Sequence, residues 1–435
     1  MSSSKITTGL LDFIAASPTP FHAALSLRSL LVTAGFTELD ELERWDLTLG
    51  GRYFVVRGGS SILAFVKGQG EPQETGIRII GAHTDSPCLK VKPVPEINVK
   101  GYWQLGIEVY GGALLNPWFD RDLSIAGKVS YLTKSGGLKA ALIDFKKPVA
   151  CIPSLAIHLD REANQNRSVN PQTDMNAVVY QADDNVSFRS LLLSMLEDAD
   201  AEEVLDYNLS FYDTQSPAVI GLKDEFIASA RLDNLLSCYL GLQALINASD
   251  EHTSVLICND HEEVGSNTDV GAQGPLLDEV IDRLLPSGEQ RQMALRRSLM
   301  FSVDNAHGVH PNYVKKHDDK HGPLLNCGPV VKFDANQSYA TSSSTSALVR
   351  WLAKATEDRA EIPLQTYVTR ADMRCGSTIG PLTAAGVGVT TVDIGVPTFA
   401  MHSVRELAGE RDLSLMQELL VRFLSRASLP VASKL

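Results

Sequence analysis

Short apolar runs alternate with amphipathic stretches along most of the chain, a pattern typical of α/β proteins. Runs of β-branched and apolar residues predict strands at 53–57, 61–67, 77–80, 254–258, 299–303, 329–333, 364–369 and 389–394. Apolar residues spaced three and four apart predict helices at 10–34, 232–246, 276–285, 346–356 and 413–425, with a break in the first at 17–20. Several of these strands are apolar throughout, which favours a sheet buried on both faces.

Residues 93–219 follow a different pattern. Prolines and glycines separate short strand-like pieces such as 105–110 and 127–132, and the first long helical stretch there is 187–196. This rhythm is typical of a β domain, and 435 residues are too many for one core of ordinary size. We therefore predict an α/β main domain, made of residues 1–92 and 220–435, with a β-rich domain inserted at 93–219.

The charge balance limits the partners of the chain. It has 39 Lys and Arg against 52 Asp and Glu, a net charge of −13, which argues against binding to nucleic acid or to an anionic membrane. No apolar run approaches the length that crosses a bilayer. Residues 1–8 lack the apolar segment of a secretory signal, and none of the 6 cysteines forms a C-x-x-C pair, so a reducing, cytoplasmic location is expected.

Metal-binding side chains follow predicted strands or begin a predicted helix at separate places in the chain. They are His83, Asp233, the pair Glu262 and Glu263, Asp304, and His402. Each alone has an ordinary explanation, such as a helix cap for the aspartate or a solvated face for the glutamates. Together, the two imidazoles and three of the four carboxylates suit two divalent cations that share one bridging carboxylate, with the carboxylate of Glu262 left over.

Two carboxylates beside these candidate ligands have chemistry of their own. Glu262 stands next to Glu263 and is placed to take a proton from water as a general base. Asp85 follows His83 by two residues in an extended segment, so it points to the same side and can hold the second imidazole nitrogen. The helical motif His-Glu-x-x-His of other metalloproteases is excluded, because Gly265 stands where its second histidine is required.

Longer motifs surround these residues. They are Gly81-Ala82-His83-Thr84-Asp85-Ser86-Pro87, Arg231-Leu232-Asp233-Asn234, Asp260-His261-Glu262-Glu263-Val264-Gly265-Ser266, Asp304-Asn305-Ala306-His307-Gly308-Val309-His310-Pro311-Asn312-Tyr313 and Met401-His402-Ser403-Val404-Arg405-Glu406. In this order, and over nearly the whole chain, they resemble the motifs of the aspartyl aminopeptidase family, a group of co-catalytic zinc aminopeptidases, in its bacterial form. The resemblance implies a mixed-sheet α/β catalytic domain of the zinc exopeptidase type, with an inserted, mainly β dimerisation domain.

The resemblance also implies a role for each candidate ligand. Asp233 would bridge two divalent ions per subunit, expected to be zinc, and the peptide bond after it would be cis. His83 and Asp304 would complete one metal site. Glu263 and His402 would complete the other.

The reaction implied is the release of aspartate or glutamate from the N-terminus of a peptide. Glu262 would be the general base for a water activated by the two metals. Lys332 would meet the acidic side chain of the substrate, Tyr339 would lie near the scissile carbonyl, and His307 would line the pocket. By position alone, Lys332 is an ordinary surface lysine at a strand end, and only its motif context favours recognition.

His158 is the one candidate in the inserted domain. The resemblance implies that it reaches the active site of a neighbouring subunit. Direct metal ligation by His158 is the alternative, although the two metals already have ligands enough. The resemblance further implies a homo-oligomer built from dimers, with a dodecamer as one candidate.

Two other functions compete with this interpretation. One is an exopeptidase or amide hydrolase of different specificity, and Lys332 is the feature that discriminates against it. The other is a metal-stabilised assembly protein without catalysis. Glu262 argues against that function, because a structural metal site does not need an additional base beside its ligands.

Overall fold

The computed structural model describes residues 3–181, 187–285 and 287–430. Some residues inside the predicted domain limits lie outside the described residues, namely 1, 2, 182–186, 286 and 431–435. The helices are α1 (Ser3–Ala15), α2 (Pro20–Thr33), α3 (Pro72–Thr75), α4 (Pro171–Asp174), α5 (Phe188–Met195), α6 (Leu232–Ile246), α7 (Leu276–Leu284), α8 (Gly288–Arg297), α9 (Ser343–Ala353), α10 (Ile379–Val387) and α11 (Glu410–Ser425). The strands are β1 (Thr37–Glu38), β2 (Arg52–Arg57), β3 (Ser61–Val66), β4 (Arg78–His83), β5 (Cys88–Val99), β6 (Tyr102–Tyr110), β7 (Leu123–Thr133), β8 (Leu138–Asp144), β9 (Ala177–Gln181), β10 (Ala201–Asp213), β11 (Ala218–Ile220), β12 (Phe226–Ser229), β13 (Ser254–Asn259), β14 (Leu299–Val303), β15 (Ala306–His307), β16 (Val330–Phe333), β17 (Gln365–Val368), β18 (Thr390–Gly395), β19 (Pro397–Phe399) and β20 (Glu406–Gly409).

The largest sheet is mixed and has nine strands in the order β1-β2-β3-β13-β4-β14-β18-β16-β17. Its neighbours β13, β4 and β14 run parallel to one another. Their carboxyl ends therefore lie at one edge, where residues that follow them meet. β4 ends at His83, Asp304 follows β14, and Glu262 and Glu263 lie in the turn after β13. The predicted α/β class with a mixed sheet is confirmed.

The large sheet is buried on both faces, as its apolar runs predicted. Along β13, Leu256 belongs to one apolar cluster and Val255 and Ile257 to another, because successive strand residues point to opposite faces. The first cluster includes α6, which is buried along nearly its whole length and packs against β4 and α11. This burial holds the beginning of α6 firmly beside the sheet.

A second, smaller sheet carries other residues of interest. Its strand order is β11-β12-β20-β19-β15. Glu406 is the first residue of β20, which pairs with both β12 and β19. His307 ends β15 and pairs with Thr398 of β19.

The chain divides into two compact units. The first contains the described residues up to Asp85, Pro217–Met401 and those from Glu406 onward, and the second contains Ser86–Ser216 and His402–Arg405. The second unit has an antiparallel sheet in the order β8-β7-β10-β5-β6-β9, with Trp103, Phe188 and Phe211 in its core. The domain limits at 93 and 219 stay a prediction from the sequence, and the division by contacts falls at 86 and 216.

Local signals explain where the helices differ from those predicted. The break between α1 and α2 is confirmed, with Pro20 as the first residue of α2. α9 begins at Ser343 and not at 346, because Ser342 is the N-cap and forms a capping box with Thr345. Helices α8 and α10 were not predicted, since α8 is mostly polar and α10 contains glycine and proline. None of the described helices is long and apolar enough to cross a membrane.

Candidate metal centre

His83 lies at the carboxyl end of β4, with its side chain buried. Its Nδ1 is 3.1 Å from the backbone carbonyl oxygen of Asp85. Because a carbonyl only accepts, Nδ1 carries the hydrogen and Nε2 is left to face the cluster. Nε2 lies 3.4 Å from Oδ1 of Asp233 and 3.6 Å from Oδ1 of Asp304. An imidazole nitrogen between two carboxylates requires a proton or a metal ion beside it.

Asp233 is held at the beginning of α6 by its backbone. Its N–H donates to Oε2 of Glu406 at 2.9 Å, and the Asp233–Asn234 peptide bond is cis, as the resemblance implied. The Nδ2 of Asn234 donates to the carbonyl oxygen of Val303 at 2.8 Å. This bond ties the beginning of α6 to the residue that precedes Asp304.

Glu262 and Glu263 lie in a 3₁₀ turn after β13. The backbone N–H of Glu262 donates to Oδ1 of Asp85, and that of Glu263 donates to Oδ2, both at 3.1 Å. His261 enters the turn with a φ of 62°, a left-handed conformation that is uncommon for a residue with a side chain. One carboxylate, that of Asp85, therefore fixes the backbone of both glutamates.

The side chains at this edge have the spacing of metal ligands. His83, Asp233 and Glu263 offer ligand atoms that all lie within 4.8 Å of one another. Zinc–ligand bonds of about 2.0–2.2 Å place two ligands of a tetrahedral site roughly 3.4 Å apart. The 3.4 Å and 3.6 Å separations around Nε2 of His83 match this spacing and are longer than an ordinary hydrogen bond. Imidazole nitrogen and carboxylate oxygen, arranged in this way, fit a divalent cation such as zinc.

Burial dominates the electrostatics of the cluster. It raises the pKa of Glu262 to about 7, with His83 opposing and Asp304 adding to the shift. It also raises the pKa of Glu263 well above the usual range, and Asp233 adds to this shift. Burial disfavours the charged form of His83, but the neighbouring carboxylates of Asp233 and Asp304 outweigh this effect and raise its pKa. A divalent cation would lower the pKa of all three groups.

Lys332 is a buried cation beside the cluster. Its side chain is only 1% exposed. Nζ lies 3.4 Å from Oδ2 of Asp304 and donates to the carbonyl oxygen of Asn305 at 3.1 Å. The two oxygens of Asp304 thus have different neighbours, with Oδ1 toward His83 and Oδ2 toward Lys332. The ammonium also lies over the ring of Tyr339, 4.9 Å from its centre.

Tyr339 belongs to a small aromatic cluster. Burial, followed by a hydrogen bond with Cys375, raises the pKa of the Tyr339 hydroxyl, so that it remains protonated. The ring of Tyr367 lies 6.4 Å from that of Tyr339 and 5.7 Å from that of His307. The His307 side chain is exposed. The structure therefore brings Lys332, Tyr339 and His307 into one connected set.

His402 and His158 lie in the second unit. Nδ1 of His402 is 3.2 Å from the carbonyl oxygen of Gly112, so this nitrogen donates, as in His83. His402 has a φ of 68°, which places it in the left-handed region. His158 is exposed in a turn between β8 and α4.

Several supporting residues were given no role by the sequence. Glu406 accepts from the backbone of Asp233, and Asn234 anchors the beginning of α6. Both lie inside the motifs quoted above, and only this location in the sequence could have identified them as functional residues. Cys375 and Tyr367 were not singled out, because a partner of Tyr339 that is distant along the chain has no local pattern.

Comparisons with known proteins agree on one family. The family model described as aminopeptidase I zinc metalloprotease (M18) matches residues 13–424. A probable M18 family aminopeptidase 2 from Pseudomonas fluorescens is 56% identical over 431 residues, which cover 98% of this chain and 99% of that protein.

Solved structures give the same result. A cryo-EM structure of a complex of Ape4 and Nbr1 contains a chain that is 34% identical, with a TM-score of 0.92 over 97% of this chain and 86% of that one. The structure of an mApe1 dodecamer from S. cerevisiae is 28% identical, with a TM-score of 0.85 over 100% of this chain and 99% of that one.

Proposed function

Because the chain belongs to the M18 family of zinc aminopeptidases, we propose that it releases aspartate and glutamate from the N-termini of peptides. The hydrolase class and the aminopeptidase activity come with the family. The acidic specificity, the two-metal site and the roles of single residues are our proposal. The absence of a disulfide bond among the described residues also supports a reducing, cytoplasmic location.

The buried ammonium of Lys332 is the observation that carries the acidic specificity. A cation that is 1% exposed beside a cluster of carboxylates is unusual in a chain of net charge −13, because burial of a charge is costly unless it is paired. The side-chain carboxylate of a substrate would add a second charged partner for this ammonium. A neutral side chain at the same place would leave Asp304 as the charged partner of the ammonium.

We propose that five side chains would hold two zinc ions. Asp233, His83 and Asp304 would hold one ion, and Asp233, Glu263 and His402 would hold the other. The geometry around Nε2 of His83 supports this assignment for the first site. Once bound, the ions would supply Lewis acidity, which lowers the pKa of a water and polarises the substrate carbonyl.

The protein side chains then handle the protons. Glu262 takes a proton from the attacking water and passes it to the departing amine, a role that suits a carboxylate held by its backbone but not used as a ligand. Asp85 keeps this carboxylate in place through the bonds to the turn. The Tyr339 hydroxyl stays protonated because burial raises its pKa, so it can donate to the oxyanion that forms at the carbonyl.

His158 completes the active site of a partner subunit in this proposal. The turn that carries it exposes apolar side chains, with Leu155 at 58%, Ile157 at 48% and Leu159 at 75%. Grouped exposed apolar residues mark a protein interface. The dodecamer described for the yeast relative further supports a homo-oligomer. Direct metal ligation by His158 is the competing role.

A panel of aminoacyl substrates tests the proposed specificity. The zinc-loaded protein is assayed with Asp-, Glu-, Leu- and Lys-p-nitroanilides under the same conditions. We expect kcat/KM for the Asp and Glu substrates to exceed that for Leu and Lys by at least tenfold, since a hydrogen bond to a charged group contributes about 1.5–3 kcal/mol. A preference for the neutral or basic substrate would assign a different specificity to this aminopeptidase.

A further inference from the structure

A cavity adjoins the proposed substrate site and shares His307 with it, but it does not include Lys332, Tyr339 or the candidate ligands. It has a volume of about 300 Å³ and belongs entirely to the first unit. Its lining includes Lys316, Arg374, Thr398, His310 and Tyr367. Sequence analysis gave none of these residues a role.

The cavity has an excess of positive charge. Lys316, Arg370 and Arg374 line it against one carboxylate, that of Asp318. Arg370 also forms an ion pair with Asp372. Within the described ranges, Lys316 and Arg374 have no carboxylate within ion-pair distance. In a chain of net charge −13, two cations at one cavity that form no ion pair within the described residues favour an anionic ligand.

A buried hydroxyl in the wall also lacks a partner. Thr398 is 2% exposed and lines the cavity, and its Oγ1 has no hydrogen-bond partner among the residues that the structure describes. Such a group is costly to bury, so an unpartnered one indicates a ligand or an ordered water. A hydroxyl can donate to a carboxylate oxygen.

Two histidines add further donors. Nε2 of His317 accepts from the backbone N–H of His310, and Nδ1 of His310 accepts from that of Asn312. In each neutral ring the hydrogen is therefore on the other nitrogen, so that each imidazole keeps one N–H to offer.

Aromatic contacts link this cavity to the proposed substrate site. Tyr367 lines the cavity and lies 6.4 Å from the ring of Tyr339, which in turn lies under the Lys332 ammonium. An aminopeptidase substrate has no residue before its first one. If the first side chain lies at Lys332, any carboxylate in the neighbouring cavity belongs to the part of the peptide that follows the cleaved bond.

We propose that this cavity is a second anion subsite, which binds a carboxylate of the peptide on the C-terminal side of the cleaved bond through Lys316, Arg374 and Thr398. The inference rests on the proposed function, since it places the first residue at Lys332. The carboxylate comes from an acidic second residue or from the C-terminus of a dipeptide. Either source has the same chemistry.

Defined substrates distinguish the two sources from each other and from the first subsite. Asp-p-nitroanilide has no second residue, Asp-Ala-amide has no second carboxylate, Asp-Asp-amide carries one on a side chain, and Asp-Ala carries one at its C-terminus. In the unchanged protein we expect kcat/KM for Asp-Asp-amide or for Asp-Ala to exceed that for Asp-Ala-amide by about tenfold. Equal values for all three would overturn the subsite.

Variants of the two exposed cations complete the test. The double variant Lys316→Ala and Arg374→Ala should lose the preference for the second carboxylate. Its kcat/KM for Asp-p-nitroanilide should be unchanged. Lys316→Glu with Arg374→Glu should favour Asp-Lys-amide over Asp-Asp-amide. The control, Lys320→Ala, changes an exposed lysine of the same loop that does not line the cavity.

The outcomes separate the subsite from the proposed function. An equal loss on every substrate, or a preference that survives in both double variants, contradicts the subsite. Failure of the unchanged protein to prefer Asp-p-nitroanilide over Leu-p-nitroanilide contradicts the proposed acidic specificity instead.

Discussion

A single carboxylate, that of Asp85, holds two glutamates with different proposed tasks. Its oxygens accept from the backbone N–H groups of Glu262 and Glu263, so the proposed base and the proposed ligand are fixed by one side chain. The sequence predicted that Asp85 supports His83. The closest contact to Nδ1 of His83 is the Asp85 carbonyl oxygen at 3.1 Å, whereas its carboxylate is 3.5 Å away.

The proposed base can be removed without removing a ligand. Glu262→Gln should lower kcat by about 10²–10⁴-fold, because the amide cannot accept the proton of the water. The zinc content, measured by elemental analysis, should stay at the unchanged protein's value. Loss of zinc together with activity would instead make Glu262 a ligand.

Lys332 contacts Asp304 in the structure, and in our proposal it also recognises the acidic side chain of the substrate. Lys332→Met keeps most of the side-chain volume but removes the ammonium. We expect kcat/KM for Asp-p-nitroanilide to fall by about 10–100-fold, which corresponds to one hydrogen bond to a charged group. The Leu substrate should lose less. An equal loss on both substrates would show that Lys332 only supports Asp304.

Removal of the metals should make stability depend on pH. Glu262 has a pKa of about 7 against an ordinary value of 4.5, and the pKa of Glu263 is also raised, so the metal-free fold binds protons more strongly than the unfolded chain. Its stability therefore falls as pH rises from about 4.5 to 7. The raised pKa of His83 has the same sign, because its contribution is present below 6.5 and is lost at higher pH.

Thermal unfolding of chelator-treated protein measures this effect. We expect a Tm lower by about 5 °C at pH 7.5 than at pH 5.5, and a rise in Tm at pH 7.5 when zinc is restored, since bound ligands must be deprotonated. Glu263→Gln removes one titrating group and should reduce the dependence. If the Tm of the metal-free protein rises from pH 5.5 to pH 7.5, the raised pKa values do not control its stability.

Among the elements, strand ends were more predictable than helix ends. Apolar runs marked β4, β13 and β14, and because parallel strands end at one edge of a sheet, the residues that follow these strands were expected to meet there. Helix α9 begins earlier than predicted, because a cap depends on side-chain geometry at Ser342. The bond from Asp233 to Glu406 joins distant parts of the chain, and no local pattern encodes it.

The capping box of α9 gives a prediction at this scale. Ser342→Ala removes the hydroxyl that accepts from the backbone of Thr345 and should cost about 1 kcal/mol, or about 2 °C in Tm. Ser343→Ala, the next residue and also exposed, is the matched control and should change Tm little. Equal effects of the two substitutions on Tm would show that the Ser342 cap does not stabilise α9. Zinc content should be the same in both.

For the whole molecule, the turn around His158 exposes apolar side chains, which favours an interface with another chain. Mixed oligomers test whether His158 acts in a partner. Chains with His158→Ala are combined with chains with Glu262→Gln, each inactive or nearly so alone. If His158 acts in the partner's site, a mixed pair contains one site with both defects and one with none, so activity returns.

The control for this experiment shows that subunits exchange between the two kinds of oligomer. Two affinity tags, one on each chain, isolate oligomers that contain both variants. Activity should approach a quarter to a half of that of the unchanged protein in such mixtures, depending on how subunits pair. Mixed oligomers without recovered activity would place His158 in the site of its own chain.

The proposed ligands on neighbouring strands of the large sheet are synthesised at different times during translation. β4 lies between β13 and β14, yet a ribosome makes β4 long before either neighbour. At ordinary rates of translation, His83 is synthesised roughly 10–40 seconds before Asp304. The nascent chain therefore lacks part of the proposed metal centre throughout this interval. If the proposed ligands are correct, such a peptidase becomes able to cut N-termini only after His402 has been made.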